Sequence, residues 1–135
     1  MYLLDTNILS ELLRSSPAPV LIGRLASVPN RDLYTSSINR GELLYGLLHA
    51  KKGISFFTRM ERLLGHVPVL SFDLRCANVY AELRADLEAK GTRLDDPDLM
   101  IASVALANEL ILVTDNERHF RRIPGLEVEN WLRKP

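Results

Sequence analysis

The sequence predicts an α/β fold with a mostly parallel central sheet. Short apolar runs without polar–apolar alternation recur along the chain, which is typical of strands buried on both faces of a parallel sheet. The clearest runs are Tyr2-Leu3-Leu4 and Leu110-Ile111-Leu112-Val113. Longer segments with apolar residues at helical spacing separate the runs. This alternation predicts parallel strands joined by crossover helices.

Each element follows from local residue patterns. Five short strands are predicted, over residues 2–4, 33–35, 67–70, 110–113 and 126–129. Pro68 limits the third to a short or edge strand, because proline donates no ladder hydrogen bond. Seven helices are predicted, over residues 8–13, 17–28, 37–50, 54–64, 74–90, 98–108 and 118–120. Pro17 suits the first turn of a helix, and Asp73 suits the N-cap position.

Length and composition fit one soluble globular domain over residues 1–135, since 47% of the residues are hydrophobic and 25% are charged. The 17 basic and 17 acidic side chains cancel, so bulk charge does not indicate a strongly basic nucleic-acid binder. A single cysteine excludes an internal disulfide and fits a reducing compartment. We expect a cytoplasmic protein without a membrane association, because the sequence shows no signal peptide and no apolar run of spanning length.

Four carboxylates are expected at one edge of the sheet. Asp5 and Asp115 directly follow two predicted strands, while Glu42 and Asp98 lie in the first turns of two predicted helices. Ligands bind beyond the carboxyl ends of the strands in open parallel sheets, so these groups can form a site. Each also has a structural explanation. Asp5 can cap a helix, Asp98 can favour a helix N-terminus, Asp115 can belong to a turn, and Glu42 can be an ordinary exposed residue.

Carboxylates that converge at one edge predict a bound cation, because like charges raise one another's pKa and destabilise the fold. No lysine lies where it could neutralise them. The three histidines, His49, His66 and His119, are expected away from these motifs. Oxygen ligands alone indicate Mg²⁺ or Mn²⁺ rather than Zn²⁺. Such an ion typically serves phosphoryl chemistry.

The ordered motifs resemble those of the PIN domain. The motifs are Leu4-Asp5-Thr6-Asn7, the stretch 37–46 with Glu42, Asp98-Leu99-Met100-Ile101-Ala102-Ser103, and Val113-Thr114-Asp115-Asn116 closed by Phe120. Within that family the chain most resembles VapC-type toxins of bacterial toxin–antitoxin pairs, and its ending over residues 124–131 is also similar to theirs. The resemblance covers essentially the whole chain. It implies a three-layer α/β/α fold with a sheet of four to five short strands.

The resemblance implies that Asp5, Glu42 and Asp98 bind the metal and its water. In many family members a fourth acid lies two residues after the threonine. Here that position is Asn116, with Asp115 one residue earlier. We expect Asp115 or Asn116 to position water or support the site rather than to act as an essential ligand.

The implied activity is that of a Mg²⁺-dependent endoribonuclease that leaves a 5′-phosphate and a 3′-hydroxyl and cleaves structured RNA such as tRNA. A covalent nucleophile is not indicated, because Ser36 and Ser37 have no histidine partner. Thr6 and Asn7 are expected to orient Asp5 or water. Basic groups must surround an acidic pocket that receives RNA. The principal candidates are Arg14, Arg40, Arg118 and Arg121, and the remaining ones are Lys51, Lys52, Arg93 and Arg122.

Two protein partners are expected. The resemblance implies a VapB-like antitoxin. We expect the toxin to contact operator DNA only through this antitoxin. Its tail is expected in a groove between helices 8–13 and 20–28, where apolar anchors could contact Leu9, Leu12, Leu13, Leu21 and Leu25. A second copy of the chain is expected on helix 54–64, whose apolar residues wrap around more of the helix than one core-facing stripe requires. The alternative for that helix is complete burial.

Two other functions remain open at this stage. A receiver-like phosphorylation domain also uses an acidic Mg²⁺ pocket on a parallel sheet. It would require a phosphoacceptor Asp after the third strand and a Lys after the last, and neither pattern is present. A PIN fold that only binds, without catalysis, would not need the intact set of Asp5, Glu42 and Asp98.

Overall fold

Five parallel strands form the central sheet in the computed structural model, which describes residues 1–134. The strands are β1 (Tyr2–Leu4), β2 (Leu33–Ser36), β3 (Val69–Leu70), β4 (Ile111–Val113) and β5 (Val128–Glu129). Their order is β3-β2-β1-β4-β5, so β1 lies in the middle, between β2 and β4. The predicted parallel sheet of four to five short strands is confirmed. The residue that follows β1 consequently lies at the centre of the sheet's carboxyl edge.

Over residues 1–134, seven α-helices connect the strands. They are α1 (Thr6–Leu12), α2 (Pro19–Ala26), α3 (Ser37–His49), α4 (Ile54–Leu64), α5 (Leu74–Ala89), α6 (Asp96–Ala107) and α7 (Glu117–Phe120). The second helix begins two residues later than predicted, because Pro19 rather than Pro17 occupies its first turn. None of the helices among residues 1–134 combines the length and the apolar character needed to cross a membrane.

Alternation along the strands divides the core into two halves. Leu3 and Leu112 are fully buried on one face of the sheet, in a cluster with residues of α5 and α6. Leu4 and Val113 are fully buried on the other face, in a cluster with residues of α1, α3 and α4. Successive side chains of a strand point to opposite faces, so both halves grow from the same short strands. The result is the expected three-layer α/β/α arrangement.

The helix α4 turns its apolar side into the core. Met60 and Leu64 are buried, and the other apolar residues of this side, Phe56, Phe57 and Leu63, are partly buried in the same cluster. The surplus of exposed apolar surface expected on α4 is therefore not found, apart from Ile54 at its first position, which is 84% exposed. Because most apolar residues of α4 pack in the core, this helix gives the homodimer no separate support, and the homodimer stays a prediction.

The orientation of α4 predicts unequal costs for two truncations in this helix. Met60→Ala should lower the free energy of unfolding by about 2–5 kcal/mol, because it leaves a cavity in the core. Ile54→Ala should change it by no more than about 0.5 kcal/mol, because Ile54 projects into solvent. Urea unfolding of both variants beside the wild type measures the difference. Similar losses in both would contradict the inward orientation of α4.

Candidate active site

Asp5 both caps a helix and faces a cleft. It follows β1, and its backbone N–H donates to the Val113 carbonyl at 2.9 Å, which extends the sheet by one residue. Its carboxylate then accepts a 2.8 Å hydrogen bond from the Thr6 N–H at the start of α1. The side chain is one of the few buried charged groups, with 5% of the residue exposed. The capping interpretation is thus correct without excluding a functional one.

Two further donors hold the Asp5 carboxylate. Asn39 Nδ2 donates to Oδ1 at 2.9 Å, and the Thr114 hydroxyl donates to Oδ2 at 2.7 Å. Burial nevertheless raises the pKa of Asp5, the bonds from Thr114 and Thr6 oppose that rise, and the charge of Asp98 adds to it. Groups on α1, on α3 and after β4 therefore fix one carboxylate at the centre of the sheet edge.

Thr6 links Asp5 to Glu42. The Thr6 hydroxyl donates to Glu42 Oε1 at 2.7 Å and accepts from Asn39 Nδ2 at 3.0 Å. Burial raises the pKa of Glu42, the hydrogen bond from Thr6 opposes the rise, and the charges of Asp5 and Asp98 add to it. Asn39 is fully buried and lies one helical turn before Glu42, so α3 contributes both a holding group and an acid.

The third acid, Asp98, contacts a histidine. His119 Nε2 lies 2.8 Å from Asp98 Oδ2, and both side chains are about three-quarters buried, with 23% and 26% exposed. The expectation that all three histidines lie away from the site was wrong. The short helix α7 follows the end of β4 and brings His119 back over the start of α6. Residue spacing did not reveal this contact, because the phase of a four-residue helix is set by packing of Phe120 in the core.

The three acids line a single cleft of about 740 Å³ together with Thr6, Asn7 and Asn116. Asn116 donates its backbone N–H to the Thr114 hydroxyl at 3.0 Å. Asp115 is not part of the lining, since its exposed carboxylate accepts from Asn130 Nδ2 at 3.2 Å. Of the two candidates for the fourth position, Asn116 is the one at the cleft.

Asn7 acts on the loop after β4 rather than on Asp5. Its side chain donates to the Thr114 hydroxyl at 3.3 Å and accepts from the Asp115 backbone N–H at 3.1 Å. These two bonds hold the loop that carries Thr114, which in turn holds Asp5. The sequence singled out Asn7 for its location but assigned no role to Thr114 or Asn39. Thr114 is the first polar residue after an apolar strand, whereas Asn39 lies among other polar residues and carries no comparable signal.

The predicted basic residues are spread over three places. Arg14 lines the cleft and pairs with Glu11 at 3.1 Å. Arg40 pairs with Glu61 of α4. Arg118 and Arg121 line a separate cavity of about 270 Å³ beside Glu117 and Arg133. Among the four principal candidates for RNA contact, Arg14 alone therefore lies at the acidic cleft.

An apolar groove of about 320 Å³ adjoins the cleft. Its lining comes from α1, α3 and the start of α4 and includes Leu13, Leu43, Gly46, Leu47 and Phe56, with Arg14 and Lys52 also contributing. The groove was expected between the first two helices; Leu13 at the end of α1 does line it, but no residue of α2 does. Leu9 and Leu21 are fully buried in the core, so they cannot receive anchors from a partner.

No lysine or arginine forms an ion pair with Asp5, Glu42 or Asp98 within residues 1–134. Over the same residues, no three His, Cys, Asp or Glu side chains stand close enough together to form a complete metal-binding group. The three acids line one cleft and repel one another. Neighbouring side chains hold them at separate positions around the cleft. Uncharged hydrogen-bond donors hold Asp5 and Glu42, and His119 contacts Asp98.

Comparison with known proteins identifies close likenesses over nearly the whole chain. The model of the PIN domain family matches residues 2–126. Ribonuclease VapC2 of Rickettsia felis is 36% identical over 131 residues, which cover 97% of this chain and 98% of that protein. The tRNA(fMet)-specific endonuclease VapC of Salmonella typhimurium is 32% identical over 130 residues, which cover 96% of this chain and 97% of that protein.

The fold is also similar to that of solved toxin–antitoxin complexes. A chain in the crystal structure of VapBC2 from Rickettsia felis, bound to a DNA fragment from the promoter, superposes with a TM-score of 0.88 at 35% identity. The superposition covers 96% of this chain and 98% of that one. The match therefore extends over every element that contributes to the cleft.

Burial of Asp5 predicts a pH-dependent gain in stability when its charge is removed. The raised pKa means that the folded chain binds this proton more tightly than the unfolded chain, so stability falls as pH rises from the ordinary value of 3.8 through the raised one. In EDTA, Asp5→Asn should therefore be more stable than the wild type at about pH 7, and the gain should vanish below the ordinary value.

Thermal or urea unfolding of Asp5→Asn across pH measures this effect. Asp115→Asn is the matched control, because its carboxylate is exposed to solvent and lies outside the cleft. It should show no comparable gain. A loss of stability in Asp5→Asn at every pH would contradict the burial argument.

Proposed function

Because the chain belongs to the PIN-domain family, we propose that it is a metal-dependent endoribonuclease toxin of the VapC type. The observation that carries the proposal is the cleft shared by Asp5, Glu42 and Asp98, where two of the three acids have a raised pKa and no lysine or arginine among residues 1–134 pairs with any of them. Relatives matched over nearly the full length are named as ribonucleases and endonucleases. A receiver-like domain is disfavoured by the family match.

The donor chemistry of the cleft fits a hard divalent cation. Its acids offer only carboxylate oxygens, which Mg²⁺ and Mn²⁺ prefer, and buried like charges need a counter-ion. We propose Asp5, Glu42 and Asp98 as the residues that would hold Mg²⁺ or Mn²⁺, directly or through water. Since Mg²⁺ usually keeps several waters, the separate positions of the three acids around the cleft are compatible with this role.

The bound ion would activate a water molecule for attack and neutralise charge on the scissile phosphate. The chain's own residues supply orientation. Thr114 and Asn39 fix Asp5, Thr6 fixes Glu42, and the side chain of Asn116 at the cleft can orient water by hydrogen bonding. In-line attack on a phosphodiester would leave a 5′-phosphate and a 3′-hydroxyl, as the family resemblance implies.

The proposed substrate is structured RNA with an unpaired segment, and tRNA is the first choice because one matched relative is named for tRNA(fMet). Arg14 at the cleft could contact a phosphate. Tyr45 also lines the cleft, is 64% exposed, and stacks on His49 with ring centroids 5.5 Å apart. An exposed aromatic ring in this position could stack an unpaired base. Arg40, Arg118 and Arg121 lie farther out and would contact only an RNA that extends beyond the cleft.

Loss of either aspartate of the cleft should remove the activity. Asp5→Asn and Asp98→Asn should each lower kcat/KM for RNA cleavage in Mg²⁺ by more than the roughly 10–100-fold typical of losing a partner that merely orients a metal ligand. Asp115→Asn should cost less, because its side chain lies outside the cleft. Cleavage of end-labelled tRNA, with and without EDTA, measures these effects.

Full activity in Asp98→Asn, or undiminished cleavage in EDTA, would refute the assignment of the site. Binding of RNA by the wild type without cleavage in Mg²⁺ or Mn²⁺ would instead support a PIN fold that serves only as a binding module. Circular dichroism of each variant separates loss of chemistry from loss of fold.

We further propose that a VapB-like antitoxin neutralises the toxin by binding the apolar groove. The groove adjoins the cleft, so a partner segment anchored on Leu13, Leu47 and Phe56 could extend a basic side chain to the acids. Structural relatives include antitoxin complexes bound to DNA. Operator DNA would be contacted only through the antitoxin. A homodimer, a cytoplasmic location and a single domain over residues 1–135 complete the proposal.

If the antitoxin binds in the groove, a side chain that fills the groove should prevent neutralisation and leave the toxicity of the chain unchanged. Gly46 lines the groove, and a side chain there has room, because apart from the backbone of its own helix no atom lies within 4 Å of a Cβ placed at this position. Gly46→Gln should therefore still arrest growth when expressed alone but be rescued poorly by co-expression of the adjacent antitoxin gene. Gly23→Gln on α2 is the matched control, since its Cβ also meets open space.

Colony counts with and without the antitoxin measure rescue, and Asp98→Asn provides the harmless toxin. Equal rescue of Gly46→Gln and Gly23→Gln would refute the groove as the docking site. A wild-type chain that is as harmless as Asp98→Asn and that binds no partner would refute the toxin assignment itself.

A further inference from the structure

A basic cavity adjoins the acidic cleft across the short helix α7. Its volume is about 270 Å³, and the residues that line it are Glu117, Arg118, Arg121 and Arg133. Asn116, which is the N-cap of α7, and Phe120 line the cleft instead. We propose that this arginine cavity binds a phosphate of the RNA backbone outside the cleft. The proposal rests on the function proposed above and assigns the substrate a second contact.

Glu117 holds two of the arginines in place. Its side chain is only 9% exposed, and the residue is one of the few buried charged groups. Its Oε2 pairs with Arg121 Nη2 at 3.0 Å, and its Oε1 pairs with Arg133. A carboxylate that pairs with two guanidinium groups restrains both of them. Less side-chain freedom is therefore lost when these arginines bind an anion.

The C-terminal segment brings Arg133 to the cavity. Asn130 ties this segment to the turn after β4, because its Nδ2 donates to Asp115 Oδ1 at 3.2 Å and its Oδ1 accepts the Leu132 N–H at 2.9 Å. Asp115 lies two residues before Glu117, so the segment passes beside the start of α7. A cation that is distant in sequence is thereby added to the two that α7 and its C-cap supply.

The arginine cavity has more positive charge than its own acid neutralises. Three arginines and one glutamate give its lining a net charge of +2. Arg118 forms no ion pair within residues 1–134, and the side chains of Arg121 and Arg133 are 61% and 70% exposed. A guanidinium group has several N–H donors, so some remain available to a ligand. Guanidinium forks match the oxygen atoms of a phosphate group, which makes an oxyanion the fitting ligand.

The location of the cavity favours RNA over other anions. Under the proposed function, a strand with one phosphate at the acids must continue out of the cleft, and the arginine cavity lies directly across α7. Arg14, just after α1, lines the cleft itself. Basic groups would therefore contact the strand both within the cleft and beyond α7. Since contacts to phosphate carry no sequence information, the cavity would fix the position of the RNA rather than select its sequence.

Binding of tRNA in EDTA tests the proposal, because the proposed cleavage needs a metal ion and binding alone is then measured. Arg118→Gln is the cleanest change, since Arg118 forms no ion pair within residues 1–134 and its loss leaves no buried charge unpaired. Losing one phosphate contact should reduce the slope of log affinity against log salt by about 0.7. The dissociation constant should then rise about fourfold in about 0.15 M salt and about eightfold in about 0.05 M salt. Arg118→Lys keeps the charge and should recover most of the slope.

Arg31→Gln is the matched control. Arg31 is an exposed arginine just before β2, at the opposite edge of the sheet from the cleft, and its loss should leave the slope unchanged. Circular dichroism shows whether each variant is folded. Equal slopes in the wild type and Arg118→Gln, or equal losses in Arg118→Gln and Arg31→Gln, would overturn the proposal.

Further outcomes separate the cavity from the function on which it rests. Binding of tRNA that Arg118→Gln weakens, without cleavage in Mg²⁺ or Mn²⁺, would refute the nuclease and support the cavity. Cleavage by the wild type with unchanged RNA affinity in Arg118→Gln would refute the cavity alone. If Arg118→Gln weakened binding of the antitoxin and not of tRNA, the cavity would take an acidic segment of a partner protein, and the proposal would be overturned. A wild type that binds no tRNA would refute both.

Discussion

The buried carboxylate of Asp5 is the constraint on which the surrounding structure depends. A charge placed at the middle of a sheet edge is costly unless hydrogen bonds satisfy it. The donors come from the start of α1, from the first turn of α3 and from the residue after β4. Three elements that are distant in sequence must therefore meet at one point. The same requirement explains why Asn39 and Thr114 are polar although both are fully buried.

The acidic cleft has a cost that the core offsets. Burial and mutual repulsion disfavour the charged forms of Asp5 and Glu42, so this edge is less stable than an apolar one would be. The stability that this edge lacks comes from the hydrophobic core, where side chains such as Trp131, Phe120 and Leu112 are almost completely removed from water. Acids that repel one another in this way favour a nearby positive charge, which under the proposed function is a metal ion or a basic side chain of the antitoxin.

Patterns that depend on one element were predictable from the sequence. The buried strands, their parallel arrangement and the position of Asp5 follow from short apolar runs that end in polar residues. Asp98 is followed directly by Leu99, Met100, Ile101 and Ala102, an apolar run that is unusual beside an ordinary exposed acid. Contacts that depend on the relative phase of two elements were not predictable. His119 reaches Asp98 through a four-residue helix, and the choice between Asp115 and Asn116 depends on the direction of a turn.

The leucines of the first two helices illustrate the same limit. An excess of leucine predicted a surface groove, whereas Leu9 and Leu21 fill the core beneath α1 and α2. A high leucine content predicts that these side chains will be buried, but it does not tell whether the core of the same chain or a partner protein buries them. The groove instead forms where α3 and the start of α4 leave a gap beside α1, with an exposed glycine, Gly46, at its wall.

The zero net charge of the chain is compatible with RNA binding, because contact with phosphate depends on which basic residues lie near the cleft and not on the total charge. Several arginines are already paired with exposed acids, as Arg40 is with Glu61 and Arg84 with Glu88. Exposed pairs of this kind contribute little to stability and are easily exchanged for a phosphate. Arg14 differs in that its partner, Glu11, also bonds the Ala18 N–H, so the acid stays satisfied when the arginine turns to a ligand. Contact between Arg14 and the proposed RNA could therefore begin without breaking any element of the fold.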